Sequence, residues 1–165
     1  MNAPLVIKKA TPASIHHIRR IAHETWPVAY GELLSKEQLD YMLEFMYSET
    51  ALQEQMDKGH RFFMAELNGN VFGFASVSDE GDGSFKLNKL YVIPITQKTG
   101  AGKALLNQVI HHAKKNNGTK LFLQVNRNNN AKGFYEKHGF IITGELDLDI
   151  GNGYFMNDYI MELGL

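Results

Sequence analysis

The chain has no cysteine, which excludes disulfides, thiolate metal sites and a cysteine nucleophile together and suits a reducing, cytoplasmic setting. It has almost no net charge, with 17 basic against 18 acidic side chains, so there is no broad basic surface to attract nucleic acid or an anionic membrane, and neither is expected as a partner. It has no apolar run of the roughly 20 residues that a membrane helix needs. Its first residues, MNAPLVIKKATP, hold a short apolar run followed by two lysines, which is neither a secretory signal nor a span. Repeats, low-complexity tracts and linker-like segments are also missing. What remains is 165 residues, 44% hydrophobic, which predicts one domain over 1–165 with a substantial core.

Leu5 to Ala10 reads as a strand, and Thr11-Pro12 as a cap followed by proline at the first helical position. Ile15, Ile18, Ile21, Ala22 and Thr25 recur at helical spacing, so a helix should run from about 12 to 25 and end at Pro27. Ser35 and Gln38 have capping-box form ahead of a second helix that buries Leu39, Met42, Leu43 and Met46. Ser48 caps a third, ending at Gly59. From His60 the period becomes two: RFFMAEL and VFGFASVS flank an Asn68-Gly69 turn, and SFKLNKLYVI follows a Gly81–Gly83 turn. A helix from near Gly100 to Asn116, the buried strand KLFLQV, a short helix near 129–138 and a final antiparallel pair complete the order βααα-βββ-α-β-α-ββ. This is an α/β pattern with a mixed sheet.

QKTGAGKALL, residues 97–106, joins a strand to a helix. A helix start has N–H groups without partners and a partly positive end, so phosphate is a natural ligand there. Two common phosphate motifs fail. A P-loop requires glycine where Gln97 stands and Ser or Thr where Ala104 stands, and a dinucleotide fingerprint requires glycine at Leu105. A bare turn into an amphipathic helix accounts for the two glycines equally well. About thirty residues on, LQVNRNNNAKGFYEKHGF places an Asn-rich turn before a short helix bearing Phe134-Tyr135.

Together, LYVIPITQKTGAGKALL and LQVNRNNNAKGFYEKHGF resemble the GCN5-related N-acetyltransferases (GNAT). Gln97, Gly100 and Gly102 fill that family's pyrophosphate motif, Gln/Arg-x-x-Gly-x-Gly/Ala, and the shared motifs cover about residues 85–140. The resemblance implies a central, mostly antiparallel sheet of about seven strands, flanked by helices and parted between the fourth and fifth strands. It implies acetyl-CoA as acyl donor. Leu90, Tyr91 and Val92 match the strand that faces the pantetheine arm. Gln97, Lys98, Thr99, Gly100, Ala101, Gly102 and Lys103 match the pyrophosphate turn, and Asn129 matches a cofactor-contacting asparagine, with Asn126 and Asn128 as substitutes because the turn is one residue short. Lys137 is placed to reach a cofactor phosphate or to be solvated.

The family's amine attacks the thioester directly, which needs no protein nucleophile. Tyr135 matches its general acid, and a thiol pKa near 8.5 against about 10 for a phenol makes that role workable. Where histone-acetylating members carry a glutamate base, this chain has Lys86. A water chain, His23, Glu24 and Asp158 remain as routes for the ammonium proton. The pairs His16-His17 and His111-His112 are helix neighbours about 100° apart, so no metal site is expected. Glu24, Trp26 and Tyr30, with Glu32, Asp147 and Asp149, offer aromatic faces and carboxylates for a cationic amine. In that layout the chain is similar to the bacterial spermidine/spermine N-acetyltransferases. A protein N-terminus or lysine is the alternative acceptor, and a non-catalytic acyl-CoA sensor the alternative class. The C-terminal NDYIMEL suits either a homodimer contact or an interior strand.

Overall fold

A computed structural model describes residues 5–94 and 99–165. The elements run β1 (Val6–Lys9), a 3-10 turn (Pro12–Ser14), α1 (Ile15–Tyr30), α2 (Lys36–Tyr47), α3 (Glu49–Asp57), β2 (Arg61–Leu67), β3 (Asn70–Asp79) and β4 (Ser84–Val92). They continue with α4 (Ala101–Lys115), β5 (Lys120–Asn126), α5 (Ala131–Lys137), β6 (Ile141–Gly151) and β7 (Tyr154–Gly164). The strands form one seven-stranded sheet in the order β1-β2-β3-β4-β5-β7-β6. Every pairing is antiparallel except β4 with β5.

Local chemistry sets most boundaries. The Ser35 and Ser48 hydroxyls each accept the backbone N–H three residues on, at 3.1 Å, and so start α2 and α3. Asn68 and Gly69 take φ of 54° and 79°, the left-handed pair that a tight hairpin turn requires. Pro27 is the exception, because α1 continues past it to Tyr30. Interior proline costs about 3 kcal/mol, and burial on the far side outweighs that cost. Trp26 is 2% exposed and meets the rings of Tyr30, Tyr47 and Tyr91 at 4.6, 5.7 and 5.8 Å.

The sheet has a core on each face. Leu105, Leu106 and Val109 of α4 are fully buried against Phe85, Leu121 and Met161. On the other face Ile18, Ile21 and Trp26 of α1 pack with Leu43, Leu52 and Phe74. Each such side chain contributes about 1.5–3 kcal/mol by leaving water. Among the described residues no helix is long and apolar enough to cross a membrane.

The middle of the sheet is irregular. Ser76 pairs with Lys89 while the next residue, Val77, pairs with Leu87. Asn88 is therefore an extra residue in β4, a bulge that sharpens the local twist. The parallel β4–β5 ladder stops at Leu87↔Leu123. Beyond it β4 stays paired with β3 as far as Gly73↔Val92, and β5 stays paired with β7 as far as Asn126↔Asp158. The two strands are held from outside and part from each other within.

Candidate active site

Two cavities meet at this parting. One, of about 600 Å³, lies beside Leu90, Tyr91 and Val92 of β4, Gly102 of α4 and Phe134 and Tyr135 of α5. The other, of about 230 Å³, lies between the sheet and α1–α2, with Trp26, Tyr30, Tyr47, Lys89 and Asp158 in its wall. A slot of about 40 Å³ between β4 and β5 shares Leu90, Asn129 and Tyr135 with the first cavity and Tyr30, Lys89 and Gln124 with the second. Tyr91 borders all three. The free edge of β4 thus faces a passage from one cavity to the other.

The α4 start stands at the larger cavity. Gly100 has φ of 83°, a left-handed conformation that side chains disfavour, and a Cβ there would meet nothing within 4 Å. Ala104 is bonded to Gly100 O at 3.0 Å and Ala101 N to Thr99 Oγ1 at 3.3 Å. Between them the N–H groups of Gly102 and Lys103 are in the first turn, where a helix offers no acceptor of its own. Gly102 lines the cavity, with room for a Cβ 3.6 Å from Phe134, and Lys103 is exposed. Gln97 and Lys98 lie outside the described residues. A helix end with an open glycine, followed by an unpaired strand edge, fits a long polar ligand with an anionic head.

Tyr135 is 7% exposed, between Phe134 and Phe140 with ring centroids at 5.3 and 5.6 Å. Burial pushes its pKa well up, so the hydroxyl keeps its proton. Asn129 donates from Nδ2 to the Tyr30 hydroxyl at 3.2 Å and accepts the Ala131 N–H at 2.9 Å. The Tyr30 and Tyr91 hydroxyls are 3.1 Å apart. This chain of three polar side chains crosses from the larger cavity to the smaller. Asn128 also borders the larger cavity, whereas Asn126 faces the smaller one.

The model of the acetyltransferase (GNAT) domain family matches residues 32–156. The chain belongs to the GNAT family. By class it is an N-acyltransferase. It is similar to an uncharacterized N-acetyltransferase of Mycobacterium tuberculosis (strain H37Rv), 29% identical over 143 residues, or 86% of this chain and 91% of the relative. A [ribosomal protein bS18]-alanine N-acetyltransferase of Haemophilus influenzae is 32% identical over 104 residues, 60% of this chain and 65% of that one. Among solved structures, the PaiA N-acetyltransferase of Thermoplasma acidophilum in complex with coenzyme A matches with a TM-score of 0.85 at 24% identity, over 98% of this chain and 99% of that chain.

In this GNAT the smaller cavity has polar and apolar walls. Lys86, Lys89, Gln124 and Asp158 line it from the sheet, together with Trp26, Met42 and Met46 of α1 and α2 and Leu148 and Phe155 of β6 and β7. Asp158 is 1% exposed, and neither carboxylate oxygen has a hydrogen-bond partner. Burial raises its pKa to about 6, against the pull of Arg127 and Lys86. Lys89 is 8% exposed, with Nζ 4.8 Å from the centre of the Tyr47 ring. Burial, helped by Lys86, lowers it to about 8. Nothing in the sequence marked Lys89, whose neighbours Lys86 and Asn88 suggest a solvated strand edge.

The residues expected from sequence to hold a cationic amine divide. Trp26 and Tyr30 line the smaller cavity. Glu24 does not: two positions from Trp26, it is about 200° round the helix and lies 3.6 Å from Arg20 on the exposed side. Asp147 pairs with Arg127 at 2.8 Å, Asp149 accepts the Gly151 N–H at 2.8 Å, and Glu32 borders the larger cavity instead. His23 points its Nδ1 at Arg19 O, 2.8 Å away. Lys137 is exposed, about 200° round α5 from Tyr135, and is not in the cavity wall. Of the side chains considered as base, Asp158 alone reaches the smaller cavity.

Proposed function

We propose that this GNAT transfers an acetyl group from acetyl-CoA to a primary amine, with the coenzyme in the larger cavity, the amine in the smaller and the reaction in the slot between β4 and β5. The observation that carries this reading is the slot itself, which joins the two cavities beside Tyr135. The coenzyme site is formed by the Leu90–Val92 edge, Asn129, and the turn of Thr99, Gly100, Ala101, Gly102 and Lys103, with Gln97 and Lys98 included from the sequence motif. Acetyl-CoA supplies an activated acyl group as a thioester.

The chain contributes two proton positions. Tyr135 donates its hydroxyl proton towards the leaving sulfur. Because burial raises its pKa above that of an ordinary phenol, a held hydrogen bond is the larger part of that role. Asp158 takes the ammonium proton. Moving a proton from an ammonium of pKa near 10 to a carboxyl near 6 is about two units less uphill than to an ordinary aspartate, a saving of roughly 3 kcal/mol. N–H groups on the free edge of β4 are available to stabilise negative charge on the acyl oxygen.

The described strands share one sheet, which supports a single domain over 1–165, and the lack of cysteine supports a cytoplasmic setting. A protein N-terminus is a second reading, supported by the likeness to the bS18-alanine enzyme. A homodimer is supported by β6, the sheet's edge strand, where Ile141 is 65% exposed; sedimentation of the protein and of Ile141→Glu tests it, and a wild-type monomer refutes it. The activity is tested by incubating the protein with acetyl-CoA and a panel of polyamines, amino sugars, amino acids and peptides. Coenzyme A release with an N-acetylated product is expected. Release at the hydrolysis background across the panel would favour an acyl-CoA sensor.

A further inference from the structure

We infer that the acceptor is an amino-acid-like amine, a primary amine with an apolar body and a carboxylate, whose ammonium is held by Asp158 and whose carboxylate is held by Lys89. This rests on the acetyl transfer proposed above and names its substrate class.

The cavity holds two buried groups of opposite charge that do not pair with each other. Asp158 enters from β7, and its oxygens are buried without a hydrogen bond. Lys89 enters from β4, and among the described residues no carboxylate lies within ion-pair distance of it; its Nζ lies over the Tyr47 ring. A buried charge without a partner is unfavourable, and natural proteins pair such groups or leave them for a ligand. Here two are left, and they line one space.

The surroundings of each end agree with this assignment. The Trp26 ring packs on the same Tyr47 ring, with centroids 5.7 Å apart, and so borders the corner that holds the Lys89 ammonium. Lys86 adds positive charge to the same wall. A polyamine entering this space meets two ammonium groups of its own sign, whereas a carboxylate meets two of the opposite sign. The apolar lining of Met42, Met46, Leu148, Ile150 and Phe155 receives an aliphatic or aromatic body. At about 230 Å³, the space is below the roughly 300–1,000 Å³ of sites for drug-sized ligands, which fits one amino acid.

The test compares acceptors that differ at one end: L-phenylalanine, L-phenylalaninamide, phenethylamine, spermidine and an alanyl peptide, each with acetyl-CoA. The expected result is a kcat/KM at least about tenfold higher for phenylalanine than for its amide or phenethylamine, since one well-placed charged contact is worth about that factor. Lys89→Met should reduce the phenylalanine-to-phenethylamine ratio at least about tenfold, and Lys89→Arg should restore part of it. Equal kcat/KM for the acid and its amide, a preference for spermidine or the peptide, or an unchanged ratio in Lys89→Met would each overturn the inference while leaving acetyl transfer intact. Absence of turnover with all five would overturn this inference, and the parent reading falls with it only if the wider amine panel is silent too.

Discussion

Replacing Asp158 with asparagine should favour the folded protein more at pH 8 than at pH 4.5 and make it much less active. Asp158 is buried without a hydrogen bond to its carboxylate, and its pKa is raised from 3.8 to about 6, first by burial, against Arg127 and Lys86. Between those values the folded chain keeps a proton that the unfolded chain has lost, so stability falls as pH rises through the window. The penalty is absent well below pH 3.8 and complete above pH 6. It amounts to about 1 kcal/mol at pH 4.5 and about 3 kcal/mol at pH 8, from about 1.4 kcal/mol per pKa unit. Asparagine cannot ionise and escapes it. Relative to wild type, Asp158→Asn should therefore gain about 2 kcal/mol more at pH 8 than at pH 4.5, or roughly 4–8 °C in Tm for a chain of this size. The comparison across pH cancels whatever the amide loses by its own burial. If Asp158 is the proton acceptor, kcat/KM falls by about 10²-fold or more. Scanning calorimetry at the two pH values and a coenzyme A release assay read both effects. A Tm difference that is the same at both pH values would refute the claim that Asp158 is buried and unpartnered. Undiminished kcat/KM would refute its role as base.

Other substitutions probe the rest of the site. Tyr135→Phe should lower kcat by about 10- to 100-fold and leave acetyl-CoA affinity within a few-fold by calorimetry; a fall in affinity alone would count against proton donation. Gly100→Asp places a negative charge at the α4 start, at φ of 83°, and should weaken acetyl-CoA binding at least about tenfold. Equal affinity would show that the pyrophosphate is held elsewhere. In wild type, kcat/KM should decline as pH falls through about 6, where Asp158 takes up its proton, and a profile flat from pH 5 to 7 would contradict this. Leu105→Ala, at a fully buried position facing the sheet, should cost about 2–5 kcal/mol in urea unfolding without changing acetyl-CoA affinity. A loss under 1 kcal/mol would place Leu105 outside the core.

The order of elements was legible in the residues because the signals are local. Ser35 and Ser48 cap their helices through their own hydroxyls, Asn68-Gly69 supplies the turn conformation itself, and strand alternation and helical spacing repeat every few residues. The turn and the tyrosine of the proposed coenzyme site stand out for the same reason, as short motifs in fixed spacing. Pro27 was misread because its local rule was overridden by the Trp26 and Tyr30 aromatic packing, which comes from α2 and β4. In the smaller cavity Trp26, Tyr30 and Asp158 were legible as candidates and lie in its wall, whereas Lys89 was not. In regular alternation Lys89 would share a face with Phe85 and Leu87, which pack under α4. The single extra residue at Asn88 shifts the phase of β4, because side chains alternate with a period of two and one insertion reverses every later position. Lys89 and Tyr91 are thereby turned to the α1–α2 side, beside Tyr47 and Phe74. There Lys89 shares a cavity with Asp158, from which it is separated by about seventy positions in sequence. The residues by themselves determine a glycine turn at a helix start and a tyrosine some thirty positions after it, the two features on which the proposed coenzyme site rests. Only the bulge and the parting of β4 from β5 decide which charges the second cavity presents.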